Sequence, residues 1–404
     1  MKKIPIGATI GLMAITAAVT FVVTGNFTLE RFNEKIRSTS EKQEFYSKLS
    51  EIDNYIRTHF IGEIDETALI DGMVNGYIDG VGDPLAECIT AEEYALRLES
   101  QTGVTDGLGF ECEKETGGYI LITEIIPGGS AEESGLLAGD IITAVNNTDV
   151  IAFAGGYDEA VSLFHCDEGT RVKLYVKRTD ENGSNDFITY DVISMRSEIA
   201  TVSGKNIDDI GFIRISSFTD CTSAQLKATL DELISNGAKG LIFDLRGCSF
   251  GSVEAAGECL DHILGAGDVV KAEYKSGTVE TVITCTEAEN LKMPMSVIVN
   301  RGTSGAAEIF ALALSDSGKA HIIGKATAGR GYMQSAYTCS DGSVVMLSTA
   351  KLLTSSGTEF NGVGIRPEFD VSLGEDVDFL HLSTEAALLT DAQLIKAMEV
   401  TVVN

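Results

Sequence analysis

Ile210-Gly211-Phe212-Ile213-Arg214-Ile215 is followed by Ser223–Ser235, with Leu226, Leu230, Leu233 and Ile234 on one side, and then by Gly240-Leu241-Ile242-Phe243-Asp244-Leu245. The spacing predicts strand, helix, strand. The same grammar continues through a helix at Val253–Leu264, a buried strand at Met295–Asn300, a helix at Ala306–Asp316 and a strand at His321–Ile323. Alternation of this kind builds a parallel or mixed sheet covered by helices. One more helix is expected at Glu385–Met398 in the tail.

Upstream, short strands alternate with glycine turns. Gly118–Ile122 and Asp140–Val145 read as strands, with a short helix at Ala131–Leu137 ending at Gly139. A helix at Tyr157–Phe164 and a strand at Arg171–Lys177 complete this unit, and Thr179–Asp186 is a polar hairpin or linker. Before it, Leu29, Phe32, Ile36, Phe45, Leu49, Ile52 and Ile56 recur at helical spacing, and Glu66–Val81 repeats the pattern up to Gly82-Asp83-Pro84. Core packing is the expected role of this stripe, with homo-oligomerisation as a second one.

The N-terminus sets the compartment. Met1-Lys2-Lys3 precedes an uncharged run from Ile4 to Val23. At 1.5 Å per residue that run spans about 30 Å, the hydrocarbon thickness of a bilayer. The two lysines should stay in the cytoplasm and send the bulk of the chain outside it. An uncleaved single-pass anchor within residues 4–24 at the cell membrane is expected. A cleaved signal peptide is the other reading, although the run is long for one.

The 404 residues suggest two or three domains, and 44% hydrophobic with 22% charged residues excludes a disordered polar chain. Lys+Arg 30 against Asp+Glu 60 gives a net charge of -30, which makes nucleic acid a poor partner. The 8 cysteines include no CxxC, and the five histidines no i, i+4 pair, so neither a metal nor another cofactor is expected. Most thiols are read as buried small hydrophobes, with bridges as the minority reading.

Gly107-Leu108-Gly109-Phe110 lies just before a strand, where such a loop can turn its N–H groups towards a carboxylate while the strand edge takes an extended peptide. Ile126-Pro127-Gly128-Gly129-Ser130-Ala131, Gly135-Leu136 and Gly139-Asp140-Ile141-Ile142 follow in order. This set resembles a PDZ domain, which implies that Gly107, Leu108, Gly109 and Phe110 grip polypeptide C-termini. A PDZ-like unit with a blocked groove is the bland alternative.

The remainder is similar to the C-terminal processing peptidases, or tail-specific serine peptidases. The likeness rests on Asp71-Gly72-Met73, Gly82-Asp83-Pro84, Gly211–Ile215 with Phe218, Asp244-Leu245-Arg246, and Ala307-Glu308-Ile309. It also includes Gly324 through Thr327-Ala328-Gly329-Arg330-Gly331 to Gln334, and Gly362-Val363-Gly364-Ile365-Arg366-Pro367. It implies an α+β and α/β multidomain chain: a transmembrane anchor (1–26), a helical N-terminal region (27–102), a PDZ domain (103–180), a linker with connecting strands (181–209), a peptidase-like core (210–372) and a C-terminal tail with a helix (373–404).

At the chemistry the sequence departs from the resemblance. The family cuts with a serine, a lysine base and a glutamine. Its serine stands three residues before the glutamate that is Glu308 here, a position held by Gly305. Its lysine falls on Arg330, and Gln334 alone keeps its identity. Glycine has nothing with which to attack a carbonyl, and arginine stays protonated with a pKa above about 12. The family's Asn-Asn-Pro-Gly-Gly, which helps to form its oxyanion hole, is here Gly247-Cys248-Ser249-Phe250-Gly251. Losing one such donor costs roughly 100- to 1,000-fold in rate.

The expectation is therefore an inactive peptidase homologue that binds C-terminal tails. The alternative is an active serine endopeptidase using Ser304, although capping of the Ala306–Asp316 helix explains that serine more simply. A third reading is a structural envelope protein with an occupied PDZ groove. Arg330 is expected to pair with Asp244 or Glu308, or else with a bound peptide carboxylate. Lys325 is placed on the wrong side of a glycine turn to serve as a base.

Overall fold

The computed structural model describes residues 43–126, 128–179, 183–286, 291–374 and 390–402. The expected anchor at residues 4–24 lies outside them. No helix among the described residues is long and apolar enough to cross a membrane. The chain divides into two units, Met1–Tyr77 and Ile78–Asn404.

In the first unit, a helix at 43–59 and the helix starting at Glu66 are clamped by Arg57, which pairs with Asp53 at 2.9 Å and with Glu66 at 2.5 Å. Phe45, Tyr46, Ile52, Tyr55, Ile70, Met73, Val74 and Tyr77 are exposed. Of the expected stripe, Leu49 and Ile56 are half-buried and Ile78 is buried, while the other described members are mostly exposed.

The second unit is built on a six-stranded mixed sheet in the order Val202–Ile207, Ile210–Ile215, Gly240–Asp244, Met295–Val299, Ala320–Gly324 and Phe369–Asp370. The first pair is antiparallel and the others are parallel. Its central strands Gly240–Asp244 and Met295–Val299 are buried along their whole length because both faces are covered, with side chains alternating between them. Leu241, Phe243, Val297 and Val299 join the core with Leu226, Leu230, Ala256, Leu260 and Phe310, drawn from the helices Thr222–Ser235, Val253–Asp261 and Ala306–Asp316. Ile242, Ile298 and Ile323 pack instead with Leu394 and Ala397 of the C-terminal helix, Ala392–Val402. That helix begins after Asp391, and residues 385–389 of the expected span lie outside the described ones.

A second, five-stranded sheet holds Glu87–Ile89, Val344–Thr354, Gly267–Tyr274 and Val279–Cys285, with Tyr332–Thr338 paired to Val344–Thr354. The strand Glu87–Ile89 corrects the all-helical reading of residues 27–102. Three residues are too few to show alternation, and their pairing to Val344–Met346 is a long-range event.

The region read as PDZ forms a sheet in the order Phe110–Lys114, Ile120–Ile125, Ile141–Val145, Arg171–Thr179 and Asn185–Ile193, carrying the short helices Ser130–Ser134 and Tyr157–Ser162. The polar segment after Thr179 is a hairpin, with Thr179 opposite Asn185. The expected linker thus contributes the sheet's last strand. The first helix stops at Gly135, whose φ of 82° ends it earlier than the expected Gly139. Asp140 is buried, takes both prongs of the Arg178 guanidinium at 2.7 Å and accepts from the Leu137 N–H. A two-stranded ribbon, Val104–Gly107 with Met195–Glu198, carries the chain into and out of this sheet.

No cysteine is bridged, and only Cys248, Cys259 and Cys285 are fully buried. The expectation that most thiols are buried is corrected by Cys88, Cys112, Cys166 and Cys221, which are half-buried, and by Cys339, which is exposed. Each of these five sits on a sheet edge, a helix end or a loop, where one side faces solvent.

Candidate functional site

The C-terminal ends of the parallel strands open into loops, the usual place for a ligand crevice in such sheets. Beyond Met295–Val299 the chain turns sharply. Asn300 Oδ1 accepts from Gly247 N–H at 3.1 Å and Gly302 N–H at 2.9 Å, while the Thr303 hydroxyl donates to the Leu245 carbonyl at 2.8 Å. Ser304 N–H donates to the Cys248 carbonyl at 2.9 Å. These bonds fix the turn against the loop that leaves Asp244-Leu245-Arg246.

Gly305 then takes φ 62° and ψ −114° and caps the Ala306–Asp316 helix. This corrects the expected Ser304 cap. Serine is the better cap by side-chain chemistry, but the turn demands a positive φ that favours glycine. A Cβ built on Gly305 meets nothing within 4 Å, so a side chain there would enter open space. Ser304 is 5% exposed, and its hydroxyl makes no hydrogen bond among the described residues.

Glu308 organises the opposite wall. Its fully buried carboxylate accepts from Gly305 N–H (2.9 Å), Arg330 N–H (2.9 Å), Gly329 N–H (2.7 Å) and the Thr327 hydroxyl. Ala328 N–H donates to the Thr303 carbonyl at 3.0 Å, and Gly362 N–H to the Gly329 carbonyl at 2.8 Å. Gly364 closes over this loop at φ 68°, where a Cβ would lie 2.3 Å from the Thr327 carbonyl oxygen.

Arg330 does not use its guanidinium on Asp244 or Glu308, as expected from the sequence. Its backbone holds Glu308, while the side chain is exposed and forms no ion pair among the described residues. Asp244 is taken by Arg246 at 2.8 Å and by Arg214 at 3.4 Å. Arg246, 1% exposed, also pairs with Asp391 at 2.6 Å, which ties the C-terminal helix to the start of the Gly247–Gly251 loop. Lys325 is paired with Asp370.

Gln334 Nε2 donates to the Leu85 carbonyl at 2.7 Å. Leu85 is itself held by Asp83, which accepts from Leu85 N–H and from the N–H and hydroxyl of Ser348 at 2.9–3.0 Å. Burial raises the Asp83 pKa, but these donors outweigh it and hold the carboxyl below its ordinary range. The residues missed from sequence are Asn300, Thr327 and Asp391, whose roles depend on partners far along the chain.

Phe250 is 41% exposed; its carbonyl accepts from Phe218 N–H at 3.0 Å, and Gly251 packs against the Phe218 backbone. Cys248, the thiol nearest in sequence, is pushed up to about 12 by burial. It is therefore protonated at neutral pH and supplies no nucleophile.

In the PDZ-like sheet, the Leu108 carbonyl accepts from the Ser130 hydroxyl at 2.9 Å and the Gly109 carbonyl from Ile126 N–H at 3.0 Å. The loop from Gly107 to Phe110 is thus held from behind. Among the described residues, the strand Phe110–Lys114 pairs on one side alone. The Phe110 and Phe164 rings meet at 5.1 Å, and the Tyr157 hydroxyl donates to the Cys112 carbonyl at 3.4 Å. Burial pushes that phenol up to about 12.

Residues 209–371 match Peptidase family S41, and residues 121–178 match a PDZ domain. Over 372 residues the chain is 32% identical to the carboxy-terminal processing protease CtpA of Bacillus subtilis (strain 168), covering 92% of this chain and 78% of that one. The chain belongs to the C-terminal processing peptidase family. Another relative within it is a probable CtpA-like serine protease of Staphylococcus aureus (strain COL), 30% identical over 90% of this chain and 71% of that one. The family's fold is also seen in the photosystem II D1 C-terminal processing protease, at a TM-score of 0.50 and 24% identity, covering 86% of this chain and 92% of that one.

Proposed function

We propose that this member of the C-terminal processing peptidase family binds polypeptide C-termini through its PDZ domain without cleaving them. The chain would be anchored through residues 4–24, with its bulk outside the cytoplasm. The observation that carries the reading is Gly305. By resemblance the family's attacking serine belongs there, and the position offers an empty space at a helix N-terminus with no hydroxyl to fill it.

The neighbouring groups support this reading. Arg330 stands where the base belongs, and a guanidinium offers donors but no acceptor for a proton. Lys325 is occupied by Asp370, and Ser304 has no hydrogen-bonded histidine, lysine or carboxylate to activate it among the described residues. Gln334 serves the Leu85 carbonyl. As a scaffold, regulator or holding factor, the protein would use the edge of Phe110–Lys114 for an extended peptide and the Gly107–Phe110 loop for its carboxylate.

The test is one mixture with two readings. A fluorescent peptide with a free C-terminus should raise the anisotropy of the label on adding the protein, and its mass should be unchanged afterwards. An amidated copy should bind more weakly. Equal binding of both copies contradicts recognition of the terminus, and a shortened peptide contradicts the inactive reading.

A further inference from the structure

The chain holds 60 acidic and 30 basic residues, yet five arginines are exposed and form no ion pair among the described residues, Arg171 and Arg196 on the PDZ side of the chain being two of them. Arg301, Arg330 and Arg366 are all exposed, and none forms an ion pair among the described residues. They lie on three loops that are bonded to one another. Ala328 N–H meets the Thr303 carbonyl at 3.0 Å, Gly362 N–H meets the Gly329 carbonyl at 2.8 Å, and Ile365 N–H meets the Thr327 hydroxyl at 2.8 Å. These are the loops around the open space at Gly305.

The carboxylates of the same region are already engaged. Asp370 is held by Lys325, Glu359 by Lys351 at 3.0 Å and Glu368 by His321 at 2.7 Å, while Glu308 takes its four donors. The positive end of the Ala306–Asp316 helix points to the same place. These three mutually bonded loops thus carry three arginines with no carboxylate partner among the described residues.

We infer that this cleft is a binding site for acidic polypeptide segments, with Arg330 as the carboxylate clamp and Arg301 and Arg366 flanking it. The inference rests on the reading that the cleft does not cleave. The arginine fork gives two parallel hydrogen bonds to a carboxylate, which a lysine in that place could not match. A short acidic peptide could meet these charges without covering the acidic surface of the rest of the chain. An extended polyanion such as nucleic acid would also meet the net charge of -30 beyond them.

The test uses the full chain and two labelled peptides of equal length. Both end in the same four residues, so that the PDZ domain sees no difference, and upstream one carries Asp and Glu where the other carries Ser and Asn. The acidic peptide should bind about tenfold more tightly or better at low salt. Arg330→Gln should bring it most of the way to the neutral peptide, and adding Arg301→Gln and Arg366→Gln should erase the difference. The neutral peptide should be unaffected. Equal affinities for the wild type, or a preference that survives all three substitutions, would overturn the inference. The peptide masses are read in the same samples: a shortened peptide removes the non-cleaving reading, while intact peptides without an acidic preference remove this inference alone.

Discussion

The backbone N–H groups of Gly305 and Arg330 donate to one and the same oxygen, Oε2 of Glu308, each at 2.9 Å. Two positions 25 apart in sequence are thereby locked together through backbone groups, whatever side chains they carry. In the proposed reading this is the scaffold that would align a nucleophile with a base, held here by a glycine and an arginine.

Removing that oxygen should be costly. Glu308→Ala leaves three backbone N–H groups and the Thr327 hydroxyl without an acceptor, and each buried orphan costs about 1–3 kcal/mol. Urea denaturation should show a loss of about 3 kcal/mol or more. A loss below about 1 kcal/mol would mean that solvent replaces the carboxylate freely.

Two glycines should behave differently. Gly305→Ala meets no neighbouring atom, so its cost is that of a side chain in a sparsely populated backbone region, about 1–3 kcal/mol. Gly364→Ala adds a clash with the Thr327 carbonyl, and its stability should fall further by about 1–3 kcal/mol. Equal losses would contradict the open space drawn at Gly305.

Much of this architecture was legible in the sequence. Ile210–Ile215 and Ala306–Asp316 have the observed limits because their patterns are long and their faces fully used. The place of Gly305, three residues before Glu308 at the start of that helix, could be read from the sequence. Hidden from view were features set by distant partners: Glu87–Ile89, which pairs with Val344–Met346, and Asp391, which meets Arg246 from 145 positions away. Ser304 misled because N-cap preferences describe side chains, whereas this turn is decided by φ.

Arg246 and Asp391 supply the next prediction. Breaking a fully buried pair strands the remaining charge, so Asp391→Ala should destabilise the protein by about 3–5 kcal/mol. Protease susceptibility of the C-terminal helix should rise with it. An unchanged midpoint would show that Asp244 alone satisfies the guanidinium.

Asp83 predicts an acid-sensitive contact. Its carboxyl is held below the ordinary value of 3.8, so it stabilises the fold fully above that pH and loses the contribution as pH falls through the lower, folded value. Asp83→Asn should remove this part of the acid dependence and loosen the Leu85 contact with Gln334. The check is thermal unfolding of both proteins between about pH 5 and pH 2. Parallel curves would assign the acid dependence to other groups.

The central claim, that the chain binds polypeptide C-termini without cutting them, is met most directly by mass spectrometry of unfolded casein incubated with the full chain and with its Ser304→Ala variant. Intact casein in both samples is the predicted result. Fragments that form with the wild type and vanish with Ser304→Ala would contradict it and assign the hydroxyl of Ser304 as a working nucleophile.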